Sequence, residues 1–173
     1  IKNQALGKVS LKARIKGVGL NPKTANASID GVLEKGTFNN YTYQNFKLKG
    51  DIAKGRYNAS ADMNSTDLEF DLISDGDFAD MYPKINLKLN VEFADLEKLN
   101  LHAGPLKVRG NLDAAIATAD LEYLNGTITA HNLFIVTDKE PIKLDSIKIA
   151  AISTAEKNSL QIKSQFLKAT MDG

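Results

Sequence analysis

The sequence predicts an all-β chain, with antiparallel-rich strands running through residues 1–173 and no domain boundary between them. Three observations lead there. Apolar and polar residues alternate with a period of two almost from end to end, the signature of half-buried strands. Clusters of Asn, Pro and Gly interrupt that alternation at strand-length intervals. Only short helical pieces fit anywhere between them.

Val9, Leu11, Ala13 and Ile15 alternate with Ser10, Lys12, Arg14 and Lys16 until Asn21-Pro22-Lys23 breaks the run. Ala25, Ala27, Ile29 and Leu33 follow, set against Asn26, Ser28 and Asp30. Beyond Asn39-Asn40, Phe46, Leu48 and Ile52 oppose Lys47, Lys49 and Asp51. The turn Ala53-Lys54-Gly55 leads to Tyr57, Ala59, Ala61 and Met63, and then to Leu68, Phe70 and Leu72. The cleanest run is Ile85, Leu87, Leu89, Val91 and Phe93, interleaved with Asn86, Lys88, Asn90 and Glu92.

Four later strands are expected. The first runs from Leu106 through Val108 and Leu112 to Ile116, and the second from Thr127 through Ile128 to Val136. The third runs from Ile142 through Ile147 and Ile149 to Ile152, and the fourth from Leu160 through Ile162 to Phe166. Two adjacent polar residues, Asp145-Ser146, predict a bulge. Ala94-Asp95-Leu96-Glu97-Lys98-Leu99-Asn100 recurs 25 positions later as Ala119 to Asn125 with six of seven residues identical. Each copy reads as a capped helical turn between strands with its Leu pair inward, and such repetition is what stacked units produce. A looser repeat of glycine, strand and turn runs from Gly31 and again from Gly126.

One-sided strands require a hidden face. An open, strongly curved sheet around an apolar groove satisfies this, and so does a β-sandwich, which packs two such faces together. The apolar set is rich in small residues (Ala13, Ala25, Ala27, Ala59, Ala61, Ala114, Ala130) and contains no Trp, which leans towards an underfilled interior.

Several function classes are excluded or disfavoured. The 22 basic and 21 acidic residues nearly cancel, and the lysines alternate rather than cluster, which argues against nucleic acid. Without cysteine there is no disulfide, thiolate metal site or cysteine nucleophile. Five glycosylation sequons fit chance in an Asn-rich chain. His102 and His131 lie 29 residues apart without carboxylates at ligand spacing, so no metal site is expected. Asp75-Gly76-Asp77 lacks the ligand pattern of a calcium loop and reads as a turn. There is no Gly-x-Ser-x-Gly elbow or phosphate-binding glycine loop. The chain is expected to be neither an enzyme nor a cofactor carrier. No run approaches the roughly 18 apolar residues of a membrane-spanning helix. A start at Ile1 and an end just after an apolar stretch predict a segment of a longer protein.

Ala94-Asp-Leu-Glu-Lys-Leu-Asn-Leu101, Leu106-Lys-Val-Arg-Gly110-Asn-Leu112, Leu124-Asn-Gly-Thr-Ile128 and Leu144-Asp-Ser-Ile-Lys-Ile149 together resemble the TamB branch of the AsmA-like proteins. Gly17-Val-Gly-Leu-Asn-Pro22 and Thr37-Phe-Asn-Asn-Tyr-Thr-Tyr43 are similar to the large members from Bacteroidota in particular. The resemblance spans nearly the whole chain but rests on degenerate Gly, Leu and Asn patterns. It implies a periplasmic segment of a long protein anchored in the inner membrane of a Gram-negative envelope. It also implies a β-sheet curled into a half-pipe, the β-taco, with an apolar interior. The roles it implies are phospholipid movement between the two membranes and assembly of outer-membrane proteins with a TamA-type partner.

The residues alone suit the first role. About eleven strands stacked at about 4.8 Å would make a trough on the order of 50 Å long. Burial of acyl chains there would be worth about 0.8 kcal/mol per CH₂. The candidate groove lining is Leu11, Ile15, Ile29, Leu33, Phe46, Leu48, Met63, Leu68, Phe70, Leu72, Ile85, Leu87, Leu89, Val91, Phe93, Leu106, Val108, Leu112, Ile128, Ile147, Ile149, Leu160 and Ile162. The alternative is a chaperone-like module that offers a sheet edge to an outer-membrane strand. A plain structural or adhesive sandwich is the third reading.

Overall fold

A computed structural model describes residues 6–19, 21–119, 123–154 and 157–173. Its eleven strands form a single antiparallel sheet in sequence order. They are β1 (Leu6–Val18), β2 (Asn26–Phe38), β3 (Tyr41–Ala53), β4 (Arg56–Asn64), β5 (Leu68–Asp77) and β6 (Lys84–Asp95). The remaining five are β7 (Lys107–Thr118), β8 (Asn125–Val136), β9 (Ile142–Ser153), β10 (Asn158–Ser164) and β11 (Lys168–Asp172). Each strand contacts only its sequence neighbours, and β1 and β11 are free edges, so the sheet is not closed into a barrel. A two-sheet sandwich is thereby corrected: among the described residues there is no second sheet to pack against the first.

Local sequence explains the meander. Asn39-Asn40 takes positive φ at both positions (50° and 63°) and joins β2 to β3, while Lys54-Gly55 (50° and 88°) joins β3 to β4. Two residues in that conformation turn a hairpin with the twist its strands require. The first half of the repeated heptapeptide also folds locally. The Leu99 N–H donates to the Asp95 carbonyl at 3.0 Å, and the Lys98 N–H to the Asp95 side chain at 3.2 Å. Asp95 therefore caps one short turn, and Leu99 is driven inward to 1% exposure. Leu96 is half-buried. In the second copy, residues 120–122 lie outside the described residues.

Two expectations change. Asp75-Gly76-Asp77 is the end of β5, not a turn. Asp75 accepts a hydrogen bond from Asn86 on β6, and Arg56 on β4 lies 3.4 Å from Asp77, so both carboxylates have cross-strand partners. Gly76 lies beneath the Tyr57 ring; a Cβ there would come within 2.1 Å of the Lys84 carbonyl oxygen and 2.5 Å of that ring. Gly76→Ala is therefore expected to lower stability by about 1–3 kcal/mol through overpacking. The urea midpoint should fall with an unchanged slope, and an unshifted midpoint would refute the contact.

The second change concerns the bulge expected at Asp145-Ser146. The pairing of β9 with β8 keeps a constant register on either side of this level, from His131↔Ser146 to Leu133↔Leu144. The register shift falls instead between β7 and β8, at Arg109/Asn111, where Asn132 has a φ of 54°. Both strands change phase there together, so the polar doublet marks the right level on the neighbouring strand.

Candidate functional site

Residues directly opposite on antiparallel strands share a face, so the register shows which side chains stand together. One row runs Ile15, Ile29, Gly50, Ala59, Ser74, Leu87, Ala114, Ile128, Ile149, Ile162 and Ala169, crossing all eleven strands without a break. A parallel row runs Ala13, Gly31, Leu48, Ala61, Leu72, Leu89, Leu112, Ala130 and Ile147. A third includes Ile52, Tyr57, Ile85, Ile116, Ala151, Leu160 and Met171. Below them, Leu11 pairs with Leu33, Leu33 with Phe46, Met63 with Phe70 and Phe70 with Val91. Leu68 pairs with Ala94, and Ala94 with Val108, continuing the same face. Leu106 is half-buried just before β7, where its carbonyl accepts the Leu96 N–H at 2.8 Å.

Phe93 departs from this face. The register shifts between Glu69 and Phe70, so Phe93 stands opposite Glu69 while Val91 and Ala94 stand opposite Phe70 and Leu68. The alternation through Val91 and Phe93 is unbroken in sequence, but the bulge at Glu92 turns the chain over. Ala94, at 3% exposure, takes the place expected for Phe93. Leu11 and Ile15 share the apolar face but are 59% and 70% exposed, because among the described residues no strand lies beyond β1. The face also gains Phe38, Tyr41 and Tyr43. Asn45 has a φ of 58°, which changes the phase of β3 and brings both tyrosines round to the Phe46 side. Burial pushes both phenols up from their usual pKa, and Asp67, which accepts from the Tyr41 hydroxyl at 3.1 Å, reinforces this at Tyr41.

Among the described residues, no layer of protein covers the apolar face. Leu87 and Leu89 are half-buried while Lys88 is exposed. Among the described apolar residues only Ala25, Ala61, Met63, Ala94 and Leu99 are fully buried. Small side chains leave hollows at both ends. One of about 240 Å³ over β1–β4 is lined by Ile15, Ala27, Ile29, Gly50, Tyr57 and Ala59. Another of about 410 Å³ over β8–β11 includes Leu124, Ala151, Leu160 and Met171.

The opposite face is charged. Lys12 pairs with Glu34 at 2.5 Å, Lys47 with Asp62 at 3.0 Å and Lys49 with Asp30 at 4.0 Å, and Arg14 and Lys16 are exposed. His102 is exposed, with Nδ1 3.1 Å from the Gly104 carbonyl. His131 lies 2.8 Å from Asp113, a carboxylate on the facing strand that sequence spacing could not associate with it. No group of three metal-ligating side chains occurs among the described residues, and no helix there is long and apolar enough to cross a membrane.

Loops join across several strands. The Asn39 side chain donates to the Asn100 carbonyl, and the Asn100 side chain returns a bond of 3.1 Å to the Asn39 carbonyl. Lys23, between β1 and β2, donates to the Asp80 carbonyl, between β5 and β6, at 3.2 Å. Compared with known proteins, the chain matches no family model, no curated protein and no solved structure.

Proposed function

We propose that the uncovered apolar face is the inner wall of a curved half-pipe that holds acyl chains. The observation that carries this is the row across eleven strands, apolar but for Ser74, with none of the described residues layered over it. Water-exposed apolar area on that scale marks a binding surface. A flexible chain of CH₂ groups suits it because the wall offers area and hollows, and its Tyr57 and Ser74 hydroxyls already bond each other at 3.0 Å. Curvature is supported by the loop contacts. Connections four strands apart would sit about 19 Å from each other on a flat sheet, yet Asn39 bonds Asn100 and Lys23 bonds Asp80. Polar headgroups would remain at the open slit.

On this reading the chain is a periplasmic segment of an inner-membrane-anchored TamB-like protein, non-enzymatic, moving phospholipid between membranes in outer-membrane biogenesis. A second reading is favoured by one feature. β1 is a thirteen-residue edge strand with every described side chain exposed, a template for an added outer-membrane-protein strand or a TamA-type partner.

The test uses the purified chain, extraction with mass spectrometry, and titration with the fluorescent fatty acid cis-parinaric acid. Saturable fluorescence enhancement and co-purified phospholipid are expected. If neither occurs, while an amphipathic strand peptide binds and a proline-substituted peptide does not, the edge-pairing module replaces the lipid reading.

A further inference from the structure

The charged face contains a site that the acyl-chain reading does not use. Irregularities flank β7 on both sides: the β6–β7 register shifts between Val91 and Ala94, and the β7–β8 register between Arg109 and Asn111. Between them Gly110 has a φ of 152°, and a Cβ there would come within 2.7 Å of Leu133. Bulges bend strands and re-aim side chains. Here they open a bay of about 490 Å³ whose walls include Asn90, Glu92, Arg109, Asn111, Asn132 and Lys143.

The amide side chains of the bay are hydrogen-bonded to one another before any ligand arrives. Asn132 Nδ2 donates to Asn111 Oδ1 at 3.3 Å, Asn111 Nδ2 to Asn90 Oδ1 at 2.8 Å, and Asn90 Nδ2 to Glu92 Oε1 at 2.8 Å. His131 extends the line, with Nδ1 3.1 Å from Asn132 Nδ2 and Nε2 2.8 Å from Asp113. Among the described residues, one N–H on each of Asn90 and Asn111 has no partner, nor do Asn132 Oδ1 and the second Glu92 oxygen. Donors and acceptors therefore interleave at set positions.

One register row adds charge. Arg109 stands opposite Phe134, and Phe134 opposite Lys143. The guanidinium lies 5.0 Å over the Phe134 ring. Neither cation has a carboxylate partner among the described residues.

We propose that this bay binds a saccharide carrying an anionic group. Sugar hydroxyls both donate and accept, which matches the interleaved amides and Glu92. A carboxylate or phosphate on the sugar satisfies Arg109 and Lys143. A bare phosphate would meet Glu92 and leave the acceptors unused, and a neutral sugar would leave both cations unused. The amide line is bonded beforehand, so its ordering costs binding little entropy. The bay opens on the face opposite the apolar wall, so its occupancy and that of the acyl chains can fail separately.

The test is an NMR titration of the ¹⁵N-labelled chain with digalacturonic acid, with maltose and inorganic phosphate as comparisons. Digalacturonic acid is expected to give saturable shifts in the Asn90, Asn111 and Asn132 side-chain amides, with affinity at least tenfold above maltose. Arg109→Gln should weaken binding about tenfold. Asn132→Gly keeps the left-handed backbone favourable but cuts the amide line, and should weaken it similarly with an unchanged circular dichroism spectrum. If Asn132→Gly unfolds, Arg109→Gln alone carries the test. Galacturonate-coated beads separate the sources. Retention that digalacturonic acid reverses and phosphate does not assigns a surface-displayed glycan, and binding of the free sugar alone assigns a soluble one. No saturable shift with digalacturonic acid, or equal affinity for phosphate, would overturn the proposal.

Discussion

Leu99→Ala should destabilise the turn between β6 and β7 by about 2–5 kcal/mol, the range for emptying a buried leucine site. Leu99 is the largest side chain that is wholly buried among the described residues, at 1% exposure. Around it the backbone is held by Asp95, whose N–H donates to the Asp67 carbonyl and whose side chain caps the turn. Lys107 lies 3.7 Å from that carboxylate, which is 4% exposed, so the charge is paired. The turn also holds Asn100 in its exchange with Asn39. In a one-layer sheet each strand contacts only its neighbours, so the loss should open this turn without unfolding the distant strands. Hydrogen exchange should accelerate at Leu99, Leu101 and His102, whose amides bond within the turn, while β9 and β10 keep their protection. Uniform loss of protection everywhere would mean that the sheet is one cooperative unit, and no acceleration would mean that Leu99 is not an anchor.

Ten of the eleven strands were legible in the sequence because each is specified locally. The exception is β11 (Lys168–Asp172), because the run from Leu160 to Phe166 reads as one strand whereas the chain leaves β10 at Ser164 and turns through Phe166. A period-two pattern with Ile85, Leu87 and Leu89 on one phase fixes both the strand and its face. The hairpins were equally local, since Asn39-Asn40 and Lys54-Gly55 need only their own residues to turn the chain. The choice between sandwich and single sheet was not local: both bury a one-sided strand, and only the pairing order distinguishes them. Phase changes were legible in part. Asp145-Ser146 interrupts the alternation visibly, whereas the bulge at Glu92 is hidden because Phe93 is apolar and continues a pattern it does not follow in space. The signal that could have revealed it is Ala94-Asp95, where an apolar residue follows Phe93 directly.

The bay illustrates a different limit. Asn90, Asn111 and Asn132 are each 21 residues apart, and no short motif joins them. They meet because β6, β7 and β8 are consecutive strands of similar length, which converts a fixed sequence interval into adjacency across the sheet. His131 and Asp113 meet in the same way. Asparagines at a strand-pair interval on the polar phase were the available clue, and reading it requires the register.

A charge placed on the apolar wall should abolish acyl-chain binding, and the same charge on the other face should not. Leu89 stands between Leu72 and Leu112 in the second apolar row, and Phe70 between Met63 and Val91. The Phe70 ring lies 6.3 Å from that of Phe46, so this end of the wall is aromatic. Leu89→Asp and Phe70→Arg are the wall variants. Ser60→Asp is the control, exposed on the charged face opposite Lys49. An unpaired charge against acyl chains costs several kcal/mol. A loss of about 3 kcal/mol in binding is more than a hundredfold in affinity, so cis-parinaric acid enhancement should vanish for both wall variants and stay level for Ser60→Asp. Because the wall is half-exposed before any lipid arrives, an aspartate there can remain hydrated in the empty protein, and folding should survive better than in a closed core. Circular dichroism and the monomer fraction must match the parent chain before the affinities are compared. Equal binding by all three variants would place the acyl chains elsewhere. Loss in Ser60→Asp alongside the wall variants would show that the wall alone does not govern the uptake.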